Sequence, residues 1–185
     1  MCYNYFMNIT GGKYNSRKVK APETDSVRPT LSKIRSGVFN SLLSEMDFEE
    51  KSFLDLFSGS GIMSLEAVSR GFKKVISVEK DIKTAKIIKD NFSLLGENPN
   101  LIVKDAIKVL DNINETFDVI YIDPPYKNIE LYSESLKKIA DNNLLNKNGI
   151  IVVECQKGLD SFIVPEKLTL KKEKKYGDTL VRYYK

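Results

Sequence analysis

Asp55-Leu56-Phe57-Ser58-Gly59-Ser60-Gly61 is the stretch on which the reading of this chain turns. It closes an apolar run, Ser52–Phe57, and passes directly into a helical pattern over Met63–Arg70. In an open α/β sheet, such a first strand-to-helix turn is where a nucleotide-like ligand sits. Glycines let the backbone come close, and the helix start offers free N–H groups. Twenty residues past Gly59, at the end of the next predicted strand, stands Glu79. A carboxylate there can accept hydrogen bonds from both ribose hydroxyls of an adenosine.

Outward from this turn the chain alternates strand and helix. The predicted strands are Ser52–Phe57, Lys74–Glu79, Leu101–Lys104, Phe117–Ile122 and Gly149–Cys155. They read as buried on both sides rather than alternating in and out, as parallel strands between helical layers do. Ile82, Ala85, Ile88, Phe92 and Leu95 form one stripe of a helix over 82–95, and shorter helices are expected over 106–112 and 130–142. Residues 167–175 and 179–184 read as an antiparallel pair around Gly177-Asp178. Upstream, short β-like runs flank Gly11-Gly12 and suggest a hairpin over Phe6–Lys20, residues 21–31 read as a loop, and Ser32 is placed to cap a helix ending near Met46. The expected fold is α/β and Rossmann-like: a mostly parallel seven-stranded sheet, helices on both faces, and an N-terminal β-hairpin plus helix.

A glycine turn followed by an acid does not by itself separate a dinucleotide from S-adenosylmethionine. A dinucleotide turn would want a third glycine at position 64, where this chain has Ser64, and has no use for Asp55 just ahead of the turn. A methyl donor carries a cationic amino acid end that Asp55 can help hold, directly or through water. Asp105 ends the third predicted strand, where its side chain can reach an adenine amino group while the Ala106 backbone meets the ring edge. The same residue can equally cap the helix that follows, and the two roles are compatible.

The most specific signal is Asp123-Pro124-Pro125-Tyr126, which follows the apolar run Val119-Ile120-Tyr121-Ile122 at the carboxyl end of its strand. A nucleobase amino nitrogen shares its lone pair with the ring and is a poor nucleophile. Two acceptors for its N–H bonds can make it tetrahedral and aim the lone pair at a sulfonium methyl. Asp123 and the Pro124 carbonyl are the natural pair, the prolines stiffen the turn, and Tyr126 offers a face on which a flipped base stacks. No strong base is needed first, because most of the acceleration is positioning of an already reactive donor.

The composition narrows the field. With 185 residues, 42% of them apolar, the chain is expected to be one methyltransferase domain over 1–185, with a hairpin extension over 1–20, a loop and helix over 21–50 and a catalytic core over 51–185. No run approaches the roughly 18 apolar residues of a membrane helix, and the start lacks a leader pattern, so a soluble cytoplasmic protein is expected. Two cysteines, Cys2 and Cys155, and no histidine exclude the usual zinc sites, and the missing histidine excludes histidine-based nucleophilic catalysis. Residues 1–40 carry seven Lys/Arg against two Asp/Glu, and residues 165–185 carry seven against three, while the whole chain is only +4. Basic ends around an acidic middle suit a phosphate backbone if both fold to one side.

With both motifs in view, the chain resembles the RsmD family of bacterial methyltransferases that modify guanine N2 in 16S ribosomal RNA. Beyond Asp55–Gly61 and Asp123–Tyr126, the likeness includes Gly12-Lys13-Tyr14 with Arg17, Arg28-Pro29-Thr30, Arg35, Phe39-Asn40, Glu66–Gly71 and Tyr176-Gly177-Asp178-Thr179. It implies a class I S-adenosylmethionine-dependent methyltransferase with Asp123, Pro124, Pro125 and Tyr126 at the chemical step. The cofactor would meet Thr30, Asp55, Ser58, Gly59, Gly61, Glu79, Lys80, Asp105 and Ala106, with S-adenosylhomocysteine as product and no metal. RNA or the small ribosomal subunit would meet Lys13, Arg17, Lys18, Arg28 and Arg35, with a monomer as the default. The chain departs from the family pattern at Asn8, where a basic residue is common, and at Ser16 and Ser64, where glycine is common. Met7 reads as the natural start, with Met1–Phe6 an extension or a misassigned start. A DNA or other RNA adenine/cytosine amino-methyltransferase would use the same four residues but usually carries a larger target-recognition domain. An inactive RNA-binding module would show a damaged cofactor turn, and a nicotinamide oxidoreductase would leave Asp123–Tyr126 without a role.

Overall fold

Strands whose side chains are apolar on both faces need a cover on each, and the computed structural model, which describes residues 6–21, 31–125 and 128–185, provides two. Phe53 of β3 (Ser52–Asp55), Val119 and Tyr121 of β6 (Phe117–Ile122) and Val152 of β7 (Leu145–Gln156) share one core. Residues from helices α1 (Ser32–Leu43), α2 (Ile62–Ser69) and α3 (Ile82–Leu94) complete that core. Their neighbours Leu54, Ile120, Ile122 and Val153 enter a second core with α4 (Ala106–Leu110) and α5 (Ile129–Asp141). Phe53 lies 5.8 Å from Phe39 of α1 and 5.3 Å from Phe72, so one aromatic knot ties helix layer to sheet.

The remaining strands are β4 (Lys74–Val78), β5 (Asn100–Ile102), β8 (Leu170–Tyr176) and β9 (Thr179–Tyr184), with β1 (Phe6–Asn8) and β2 (Lys18–Lys20) forming a separate antiparallel hairpin. The seven-stranded order is β5-β4-β3-β6-β7-β9-β8, parallel from β5 to β7 and antiparallel through β9 and β8. From β3 the chain builds outward through β4 to β5, then returns to lay β6 on the other flank of β3. That reversal opens a crevice at the carboxyl ends of β3 and β6, where α/β sheets take their ligands. Among the described residues no helix is long and apolar enough to cross a membrane.

Several expected bounds shift by one to four residues, and two of the differences have a visible cause. Ser32 is the first helical residue rather than the cap: Leu31 holds the cap position without a side-chain bond, and the Ser32 hydroxyl accepts instead from Arg35 Nη2 at 3.2 Å. β7 begins at Leu145, four residues before Gly149, because Leu145 pairs with Phe117 across a register shift in β6.

The hairpin is clamped to the core. Thr10 N–H donates to Glu66 Oε1 at 2.8 Å, Lys13 N–H donates to the Ser69 carbonyl, and the Ser69 hydroxyl accepts from Tyr14 N–H at 2.8 Å. Gly12, at φ 76°, lies so close to helix α2 that a Cβ there would stand 1.9 Å from the Ser69 carbonyl oxygen.

Candidate active site

Asp55 is the last residue of β3, and the bond from Leu56 N–H to the Tyr121 carbonyl, 3.1 Å, carries the β3–β6 ladder one residue beyond it. The chain then turns through Gly59 (φ 52°) and Gly61 (φ 78°), the latter at the cap of α2. A side chain at Gly61 would be strained by that φ and pressed against Ile88, 3.1 Å away. Side chains brace the turn: the Ser58 hydroxyl donates to the Asp55 carbonyl and accepts from Val78 N–H, and Glu79 Oε2 accepts Gly59 N–H at 3.0 Å.

Asp55 is 1% exposed. Its Oδ2 accepts from the Ser64 hydroxyl at 2.8 Å, which in turn accepts from Ser77 at 2.7 Å. Its Oδ1 is buried with no hydrogen-bond partner among the described residues. Burial pushes this carboxyl up to about 7, against the Ser64 and Ser58 bonds and with help from nearby Glu79. A buried acceptor lacking a donor costs roughly 1–3 kcal/mol. An ammonium group on a bound ligand would remove that cost and restore the ionised form, so the residues present fit the amino acid end of the expected cofactor.

Glu79 accepts one backbone N–H on each oxygen, from Gly59 and from Asp81 at 2.8 Å. Burial raises its carboxyl above the ordinary value despite those bonds. Each oxygen keeps a second lone pair that a ribose hydroxyl can use. Lys80 is exposed beside it. Asp105 caps α4 through Oδ1, accepting from Ile107 and Lys108 N–H at 3.0 and 3.3 Å, and Ala106 is buried behind it.

Asp123 follows β6 and is partly exposed; Pro124 is buried and Pro125 exposed. Its carboxyl is raised well above the ordinary value, first by burial, then by Glu154 and Asp55. Glu154, 1% exposed on the adjoining strand β7, accepts from the Tyr121 hydroxyl. The structure thus gathers Asp55, Asp123 and Glu154 at the strand ends on either side of the crevice. Neither Glu154 nor Tyr121 was anticipated, although a lone acid inside the apolar run Ile150–Cys155 was a visible signal. Tyr126, Thr30 and Arg28 lie outside the described residues.

Of the RNA-facing expectations, Lys13, Arg17 and Lys18 are exposed on the hairpin. Lys13 Nζ sits 3.4 Å from Glu97, and Arg17 Nη2 donates to the Leu94 carbonyl at 3.2 Å. Arg35 is corrected: it is 1% exposed, its Nε donates to Glu66 Oε1 at 3.1 Å and its Nη2 to the Asn8 carbonyl at 2.6 Å, so it holds the hairpin from inside and has no surface to offer RNA. The signal that could have found this was Glu66, an acid within the apolar stripe of α2. Ser16, where the resemblance leads one to expect glycine, adopts φ 65°, the left-handed region that glycine occupies without strain.

Comparison with known proteins agrees with this geometry. The chain is 33% identical over 171 residues to the ribosomal RNA small subunit methyltransferase D of Buchnera aphidicola, covering 91% of this chain and 86% of that one. It is 32% identical over 183 residues to the protein of that name from Haemophilus influenzae, covering 96% and 93%. The solved structure of Escherichia coli yhhF superposes with a TM-score of 0.86 at 26% identity over 97% of each chain. A family model described as Conserved hypothetical protein 95 matches residues 7–185. The chain therefore belongs to that family, the RsmD family.

Proposed function

We propose that this chain is an S-adenosylmethionine-dependent methyltransferase that transfers a methyl group to the N2 amino group of a guanine in 16S ribosomal RNA. One observation carries the reading: Asp55, with a buried oxygen that has no partner among the described residues, and Asp123 border the same crevice at the sheet's topological reversal. The cofactor, when bound, supplies an electrophilic methyl group. Asp55 balances its ammonium, Glu79 receives its ribose hydroxyls, and Asp105 with the Ala106 backbone addresses its adenine. Asp123 and the Pro124 carbonyl accept the two N–H bonds of the target amine and direct its lone pair, and Asp123 is placed to take the proton released on transfer. Names of relatives that act on small-subunit RNA support the substrate class. The hairpin with Lys13, Arg17 and Lys18, and the lysine-rich strand β8, are proposed to meet the phosphate backbone. Both border α1, through Arg35 with Asn8 and through Gly37 against the Tyr176 hydroxyl.

The test is incubation with labelled S-adenosylmethionine and unmodified small-subunit particles, followed by mass spectrometry of the nucleosides. N2-methylguanosine is expected; methylation of an adenine or cytosine amine would favour the alternative. Asp123→Ala is expected to lower kcat by about 100-fold or more while leaving S-adenosylhomocysteine affinity within about 3-fold. Because Asp123 must be ionised to accept, the acid limb of kcat/KM should fall well above the ordinary carboxylate range, with activity rising as pH rises.

A further inference from the structure

Asn91 is fully buried near the end of α3, with its amide oxygen and both amide N–H bonds engaged. Its oxygen accepts Lys20 N–H at 2.8 Å, while its nitrogen donates to the Lys20 carbonyl at 2.9 Å and to the Ser60 carbonyl at 3.0 Å. One amide thus serves as ladder partner to the last residue of β2 and as brace to the glycine turn that Gly59 and Gly61 form. Three residues earlier on the same helix face, Ile88 packs on Gly61. Nothing in the cofactor chemistry requires this link, and a hydrogen-bonded buried amide fixes the relative position of the two segments it joins.

We propose that Asn91 is a positioning residue through which the basic hairpin and the cofactor turn set one another's geometry, so that RNA and cofactor bind cooperatively. The inference rests on the RNA reading of the hairpin given above. Ser58 and Glu79 brace the turn on its strand side, and Asn91 ties Ser60 on the other side to Lys20, so a shift at either site is passed to the other through one amide. Occupancy of either site therefore favours the arrangement that the other needs, and by linkage the effect is reciprocal. The Lys20 side chain reaches Asp90 on the surface at 3.5 Å, and this exposed pair plays no part in the link.

The experiment measures affinity for unmodified small-subunit particles with and without saturating S-adenosylhomocysteine. The unaltered protein should bind particles about 5-fold tighter or more when the cofactor product is present. Asn91→Leu, similar in size, should bind each ligand alone within about 3-fold of the unaltered protein but bring the coupling factor close to one. Lys18→Ala should weaken particle binding and keep the coupling, an outcome that a merely structural Asn91 would not separate. Should Asn91→Leu fail to fold, amide exchange in the unaltered protein decides: S-adenosylhomocysteine should slow exchange at Lys20 N–H several-fold, and no change would overturn the proposal. Methylation of particles without any coupling, or coupling that survives Asn91→Leu, sinks this inference alone. Failure of the unaltered protein to methylate particles sinks the functional reading beneath it.

Discussion

Glu66 and Asp55 are both carboxylates sealed from solvent, at 0% and 1% exposure, and α2 carries one and touches the other through Ser64. Glu66 is surrounded by donors: Arg35 and Thr10 N–H on Oε1, Arg70 on Oε2. Asp55 has two serines, one on its side chain and one on its carbonyl, and an oxygen with nothing to hold among the described residues. Burial alone therefore says little about purpose. A carboxylate saturated by its own protein holds the fold, and one left short of donors is arranged for a guest.

The contrast can be broken most severely at Glu66. Arg35→Met removes one guanidinium from a sealed charge and should cost about 3–5 kcal/mol of stability, read by denaturant titration. A loss under 1 kcal/mol would mean that Arg70 and Thr10 suffice and that Glu66 is no keystone.

Asp55 should behave in the opposite way. Asp55→Asn is expected to raise stability at pH 7 by about 1–3 kcal/mol in the absence of ligand, and to weaken S-adenosylhomocysteine binding by about 10-fold or more. The sign follows from linkage. With a folded value of about 7 against 3.8 for an ordinary aspartate, the native protein binds more protons than the unfolded chain between those limits, so unliganded stability should fall as pH rises through that window. Ligand binding at pH 6 should then release up to about one proton, measurable by calorimetry in buffers of differing ionisation enthalpy. Proton uptake instead would refute the ammonium partnership.

A smaller effect sharpens the same comparison at the hairpin that Glu66 supports. Ser16→Gly relieves a left-handed residue and should add about 0.5–1 kcal/mol, provided the hairpin is as firmly seated as the Glu66 network requires. No change in the melting temperature would show the turn to be free to relax.

The contrast also explains what the sequence could disclose. β6 and β9 match their predicted bounds residue for residue, and α3 and α5 fall within a residue, because apolar periodicity is local information. The glycine turn and Asp123 were legible because their chemistry is written in adjacent residues. Arg35 was not: its burial depends on Glu66, 31 positions away, and a cation in a basic N-terminal segment looks like surface until its partner is placed. Ser32 follows from it, since its hydroxyl serves Arg35, which Glu66 holds, rather than its own helix start. Asn91 could have been noticed as an amide on the inward stripe of α3, between Ile88 and Phe92, but its two partners are brought to it only by the tertiary fold.

The near-contact of Gly12 with the end of α2 has a consequence for anyone recombining members of this family. The hairpin is not a module with a clean boundary, since its backbone is cast against the Ser69 carbonyl with no room for a methyl group. A chimera that exchanges residues 6–21 alone would inherit a mould without its casting. The natural crossover unit joins that hairpin to the donor's Glu66–Arg70 segment, two stretches that are distant in the gene and inseparable in space.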